Sequence, residues 1–162
     1  MKYLAALLAT LATITLANAQ DPPAAEIDES VIDSLFGDHA TIASFTDAIE
    51  FAEQAGVDPQ LLIEAETNYY LFKNSDMASI RKLVKKLEKQ AQSFDTKKSR
   101  LFKSKDGFTA MAEYAKAIIA YSSGDEAGLK KHITEAIWLD PANAPSFASL
   151  IRSYRLQQRS SE

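Results

Sequence analysis

Residues 75–94 read SDMASIRKLVKKLEKQAQSF. Ile80, Leu83, Val84, Leu87, Ala91 and Phe94 recur at steps of 3, 1, 3, 4 and 3, which is the spacing of one face of an α-helix. Arg81, Lys82, Lys85, Lys86 and Lys89 fill the opposite face. Ser75 or Asp76 supplies an N-cap, its side-chain oxygen accepting from the free amides of the first turn. This segment is an amphipathic helix, and it sets the expectation for the rest of the chain.

The same period recurs in both directions. Upstream, a short acidic segment from Asp28 to Phe36 stops at Gly37, and Thr41 opens a helix carrying Ile42, Phe45, Ile49 and Ala52 that Gly56 closes. Asp58-Pro59 then starts another, with Asp as cap and Pro at the first helical position. Its stripe is Leu62, Ala65, Tyr69 and Phe72, and it ends near Asn74. Downstream, residues 95–106 are basic and poorly periodic and read as a loop or frayed end. Phe108, Met111, Ala112, Ala115, Ile118 and Ile119 form the next stripe, broken at Ser122-Ser123-Gly124. Asp125 caps a helix with Leu129, Ile133, Ala136 and Ile137 that ends at Asp140-Pro141. Pro145 begins a last one, with Phe147, Leu150, Ile151 and Tyr154 inward and Arg152, Arg155 and Arg159 outward. Alternating β-branched runs bounded by turn dipeptides, the mark of strands, do not occur. The expectation is six to seven antiparallel helices and no sheet, because amphipathic helices become stable in water only by packing their stripes together.

One stretch resembles a tetratricopeptide repeat, a helix-turn-helix of about 34 residues. Gly124-Asp125 matches the turn between the two helices, Ala117 and Ala136 the small-residue positions, and Leu139-Asp140-Pro141-x-Asn143 the family's ending. Glu113, Lys116 and Ala120 stand where Trp, Leu and Tyr are usual, and Leu129 replaces a small residue, so the unit at 110–143 is degenerate. A second unit at 60–92, turning at Ser75-Asp76, matches by helix spacing. The resemblance implies an all-α, degenerate tetratricopeptide-like superhelix with a C-terminal capping helix, since such stacks need a polar outer cap. The alternative is an unrelated helical bundle that uses Asp-Pro as a stop-and-start signal.

The N-terminus has a separate logic. Met1-Lys2, an Ala- and Leu-rich run of about 14 residues from Tyr3 to Leu16, and Ala17-Asn18-Ala19 make the three parts of a secretory signal peptide, cut after Ala19. The run is short of the ~20 residues a spanning helix needs; an uncleaved anchor is the alternative. Domains are thus expected at 1–19 (signal peptide), 20–27 (disordered leader, with Pro22-Pro23) and 28–162 (one helical repeat-like domain), giving a secreted or periplasmic protein that is not integral to the membrane after cleavage. There is no cysteine, so disulfides, thiolate zinc sites and a lipidated N-terminal cysteine are excluded.

Motifs of catalysis are absent: no Gly-rich phosphate loop, no Gly-x-Ser-x-Gly, no His-Glu-x-x-His. His132-x-x-Glu135 offers two ligands on one helix, too few for a metal site, and reads as a boundary histidine; His39 sits in a turn beside Asp38. Adjacent acids such as Glu64 and Glu66 are assigned to the helix dipole. No enzyme, cofactor or metal is expected; a small hydrolase with an unrecognised carboxylate site is the least favoured class.

Charge is ordered along the chain. Residues 20–72 hold twelve acids and no Lys or Arg, residues 73–105 eleven bases against three acids. Either the basic face is solvated and partly neutralised by the acidic helices, or Arg81, Lys82, Lys85, Lys86 and Lys89, followed by Lys97, Lys98, Arg100, Lys103 and Lys105, form a patch for an anionic envelope component. Net acidity and the lack of a stacking-aromatic module argue against nucleic acid. The leading expectation is an exported, non-catalytic scaffold for a protein or peptide partner, bound by Tyr69, Phe72, Tyr114 and Tyr121, the aromatics on the first helices of the units; binding of anionic surfaces or polymers through 81–105 is the alternative. Tyr114 and Tyr121 are expected to flank their stripe and line the surface.

Overall fold

The protein is described here from a computed structural model, covering residues 27–73 and 76–159, with side chains as far as Arg152. The signal segment 1–19, leader residues 20–26, Ser75 and the side chains of Tyr154, Arg155 and Arg159 lie outside the described residues. Among those described there are seven α-helices and no strand: α1 (Glu29–Phe36), α2 (Ile42–Gln54), α3 (Pro59–Asn68), α4 (Met77–Gln90), α5 (Lys105–Ser123), α6 (Glu126–Leu139) and α7 (Ala144–Arg159). The all-helical expectation holds.

Local signals fix the boundaries. Asp28, Thr41, Asp58, Asp76, Ser104 and Asp125 each accept a backbone N–H of the first turn of the helix they cap, which satisfies one of the amides a helix start leaves free. Gly124 ends α5 at φ +73°, in the left-handed region that costs an L-residue about 1–2 kcal/mol. α6 ends at Asp140-Pro141 as expected. A single 3-10 turn (Pro141–Asn143) then leads into α7, which begins at Ala144, one residue before Pro145.

α5 is the centre of the C-terminal half, packing on α4, α6 and α7, while α3 plays that part in the N-terminal half, touching α1, α2 and α4. Phe45, Ile80, Leu83, Leu87, Phe108, Leu129, Ile133 and Phe147 are fully buried between these layers.

One stripe departs from expectation. α3 does not run on as an α-helix past Asn68; it widens into a π-helical turn over Tyr69–Lys73, and the expected end near Asn74 lies outside the described residues. A wider turn rotates each residue through a smaller angle than an α-helix does, so side chains drift off the α-stripe. Tyr69, Tyr70 and Leu71 all turn inward, and Phe72, which an unbroken α-stripe would bury, stands 57 % exposed.

Candidate functional site

The π-turn positions the site. Tyr69 is 2 % exposed, its ring stacked on Phe45 at 4.0 Å and edged by His39 and Tyr70. A ring enclosed in this way presents no contact surface, so Tyr69 leaves the set of partner-binding residues and joins the core. Phe72, Tyr114 and Tyr121, by contrast, are brought together. Tyr114, Ile118 and Tyr121 recur at i, i+4 and i+7 on α5 and therefore share a face. With Leu71, Met77 and Leu150 they line a cleft of about 260 Å³ between the π-turn, the start of α4 and α7. Phe72 overlies Tyr114, ring centroids 6.1 Å apart.

Tyr114 is more buried than its flanking position suggests. It is 9 % exposed because α7 closes over it, the ring of Phe147 lying 5.2 Å away. Burial raises the pKa of its phenol. Tyr121 is half-buried. The cleft is smaller than the ~300–1,000 Å³ that holds a drug-sized ligand, and its walls carry no carboxylate, imidazole or amine. Its dimensions and chemistry suit one or two apolar side chains of a partner.

The basic segment divides in two. In its loop half, two bases are tied to the acidic N-terminal helices: Lys98 to Asp58 at 2.8 Å, and Arg100 to Glu29 at 2.9 Å and Asp33 at 2.7 Å, with the guanidinium over the ring of Phe36, while Lys97, Lys103 and Lys105 are exposed. Lys73 likewise pairs with Asp38. For Asp58, burial raises the pKa but the bonds from Lys98 and the Gln60 amide outweigh it and leave it lowered. In the helical half, Lys86 binds Glu66 at 2.7 Å. Arg81, Lys82, Lys85 and Lys89 are exposed and have no ion-pair partner among the described residues.

Two polar networks escape a reading of the sequence. Glu64 is fully buried; its Oε2 accepts the backbone N–H groups of Arg100 and Leu101, and Gln60 donates to its Oε1. Gln60 also exchanges two bonds with the backbone of Asp95. The pair pins both ends of the irregular 95–101 stretch to α3. Glu64 and Glu66 lie in the middle of α3, so a loop clamp and an ion pair replace the helix-dipole role assigned to them. The signal in sequence was the i, i+4 spacing of Gln60 and Glu64; the loop they hold was not visible.

The second network joins three helices. Glu113 accepts from Lys116 at 2.7 Å and pairs with Nδ1 of His132 at 2.7 Å, and Lys116 reaches Glu88 of α4. Burial pulls the pKa of Glu113 up, but its bonds from Lys116 and His132 prevail and leave it lowered. His132 thus turns to Glu113 of α5, while Glu135 is exposed. His39 meets a backbone carbonyl, that of Ser34, at 2.9 Å. Among the described residues no group of three or more acids and histidines is placed to hold a metal ion, and no helix is long and apolar enough to cross a membrane. No family model matches the chain, and no curated protein or solved structure matches it either.

Proposed function

We propose that this protein is an exported, non-catalytic helical scaffold that captures a protein or peptide partner in the cleft formed by the π-turn, α5 and α7. The observation that carries this reading is an apolar recess lined by Tyr114 and Tyr121, with Phe72, remote in sequence, stacked on Tyr114. Phe72 is the anchor: a phenyl ring held out of the core at 57 % exposure costs hydrophobic free energy that contact with a partner recovers. Its stacking on Tyr114 restricts its motion before binding, so less rotamer entropy is lost on capture.

A tetratricopeptide-like arrangement supports the same reading. The hairpins α3–α4 and α5–α6 follow one another, each pair in contact, with α7 after them. The left-handed Gly124 turn and the Asp140-Pro141 ending fall where such repeats carry them. In that arrangement α3, α5 and α7 are successive first helices, which line the concave face. Fold analogy alone is weak evidence for function; the exposed aromatic anchor adds a site. Export rests on the signal-like residues 1–19.

The test is a pull-down from envelope and extracellular fractions with the purified protein as bait. Capture of a defined partner should survive 0.5 M NaCl, since an apolar cleft is not screened by salt, and should be lost with Phe72→Ser and Tyr121→Ala while helicity is kept. Capture unchanged in both variants sinks the proposal.

A further inference from the structure

A different face carries the second inference, and it stands independently of the cleft. α2 and α4 flank α3 and run the same way along it. Ile42 and Thr46 share one cleft with Ser79 and Lys82, and further on Ile49 and Glu53 share another with Lys86 and Lys89. These clefts, about 320 and 280 Å³, meet at the Glu66–Lys86 pair and make one groove with Leu62 and Ile63 in its floor.

The walls of this groove are opposite in charge. Lys82 and Lys89 of α4 and Glu53 of α2 line the groove, and Lys85 of α4 and Asp47 and Glu50 of α2 are exposed on the same two helices. None of the six has an ion-pair partner among the described residues. A polyanion or an acidic membrane laid on α4 meets the carboxylates of α2 beside it, and a polycation meets the reverse. A surface with one acidic and one basic wall is instead its own complement: a two-fold rotation about an axis through the groove places acid over base on both sides. The spacing agrees. Asp47 to Glu53 spans about 9 Å along α2 and Lys82 to Lys89 about 10.5 Å along α4, at the ~1.5 Å rise of a helix.

We infer that this face is a self-association surface, on which a second copy of the chain docks with its helices parallel to those of the first, about a two-fold axis along the groove, α2 of each over α4 of the other. The groove supplies apolar area, and the six charges supply register and orientation. A patch roughly 20 Å long and about 20 Å wide buries on the order of 800 Å² over both copies, below the ~1,200–2,000 Å² of a stable interface. The dimer is therefore weak, with a dissociation constant on the order of 10–100 µM, and sensitive to salt.

Sedimentation of the purified protein at 0.05 and 0.5 M NaCl tests this. Dimer is expected at low salt, with affinity falling at least about tenfold at high salt as the screening length shrinks. Lys82→Glu with Lys85→Glu makes both walls acidic, and Glu50→Lys with Glu53→Lys makes both basic. Each double variant alone is expected to be monomeric, and their equimolar mixture to form a one-to-one dimer. The milder Lys82→Gln with Lys85→Gln weakens association without adding repulsion, and circular dichroism verifies the fold of every variant. A wild-type protein monomeric at several hundred micromolar, a dimer indifferent to salt, a charge-reversed variant that dimerises like wild type, or a mixture of folded variants that stays monomeric would each overturn the inference.

Discussion

Glu64→Ala removes a carboxylate that three donors share. In the native fold its oxygens accept Arg100 N at 2.9 Å, Leu101 N at 3.0 Å and Gln60 Nε2 at 3.1 Å. Alanine fills none of these roles. A buried donor left without an acceptor costs about 1–3 kcal/mol. The two backbone donors sit where the loop meets solvent, so the low end of that range, about 1 kcal/mol each, applies to them, and the three together cost about 3–5 kcal/mol. Set against the ~5–15 kcal/mol of a whole domain, that is a large fraction. At roughly 3 °C per kcal/mol for a domain of this size, the melting temperature should fall by about 10–15 °C. Glu64→Gln is the discriminating partner. It keeps the volume and can still accept the two backbone N–H groups, but its amide nitrogen then faces the Gln60 Nε2, donor against donor. Gln60 cannot flip to relieve this, because both of its amide atoms are engaged with Asp95. A loss of about 2 kcal/mol is expected, between wild type and Glu64→Ala. Thermal unfolding followed by circular dichroism measures the stabilities, and amide hydrogen exchange at Arg100 and Leu101 reads the clamp directly. A Glu64→Ala protein melting within about 3 °C of wild type, with those amides still protected, would refute the idea that the carboxylate holds the loop.

Tyr114→Ala should cost about 3–5 kcal/mol, the range of a buried aromatic, whereas Phe72→Ala should cost under about 1 kcal/mol; urea titration of both variants checks the contrast, and equal losses would place Phe72 in the core. Glu113 has a lowered pKa in the folded protein, so its contribution is present above the ordinary carboxylate value of 4.5 and is lost as the pH falls through the depressed folded value. Stability measured from pH 7 down to pH 3 should therefore decline less steeply in Glu113→Gln than in wild type, and parallel curves would remove Glu113 from the acid response.

How much of this was legible in the sequence depends on the range of the interaction. Caps and stops are local: Asp58-Pro59, Gly124-Asp125 and Asp140-Pro141 state their geometry within two residues, and each lies at a helix boundary in the fold. The stripe of 75–94 was equally plain, with Ile80, Leu83 and Leu87 buried and the lysines out. The stripe of α3 failed at Phe72 because a π-turn leaves no mark in the hydrophobic period; Tyr-Tyr-Leu-Phe fits several helical phases, and only the packing of Phe45 and His39 against Tyr69 selects one. Tyr114 was misjudged for a similar reason. Its position on the flank of the α5 stripe is real, but α7 brings Phe147 over that flank, and no feature of residues 105–123 announces it.

The departures from the repeat pattern were the least legible part and say the most about this chain. Glu113 and Lys116 stand where a repeat carries large apolar residues, and taken singly they look like losses of packing. In the fold they are one device: Glu113 draws in His132 from α6, and Lys116 draws in Glu88 from α4, so three helices are joined by polar bonds as well as by their apolar stripes. A half-buried network of this kind adds little net stability over apolar packing, but it disfavours any helix register that leaves Glu113 or Lys116 unpaired. The ordering of charge along the chain works in the same way at longer range. With the acids of residues 27–72 on the N-terminal helices and their caps and turns, and the bases following from Lys73, pairs such as Arg100–Asp33, Lys98–Asp58 and Lys86–Glu66 form between elements and not within them. The acidic and basic blocks are thus instructions for stacking α1, α3, α4 and the 91–104 loop. The charges on α2 and the outer side of α4 are among those left over after that stacking, and they can direct association.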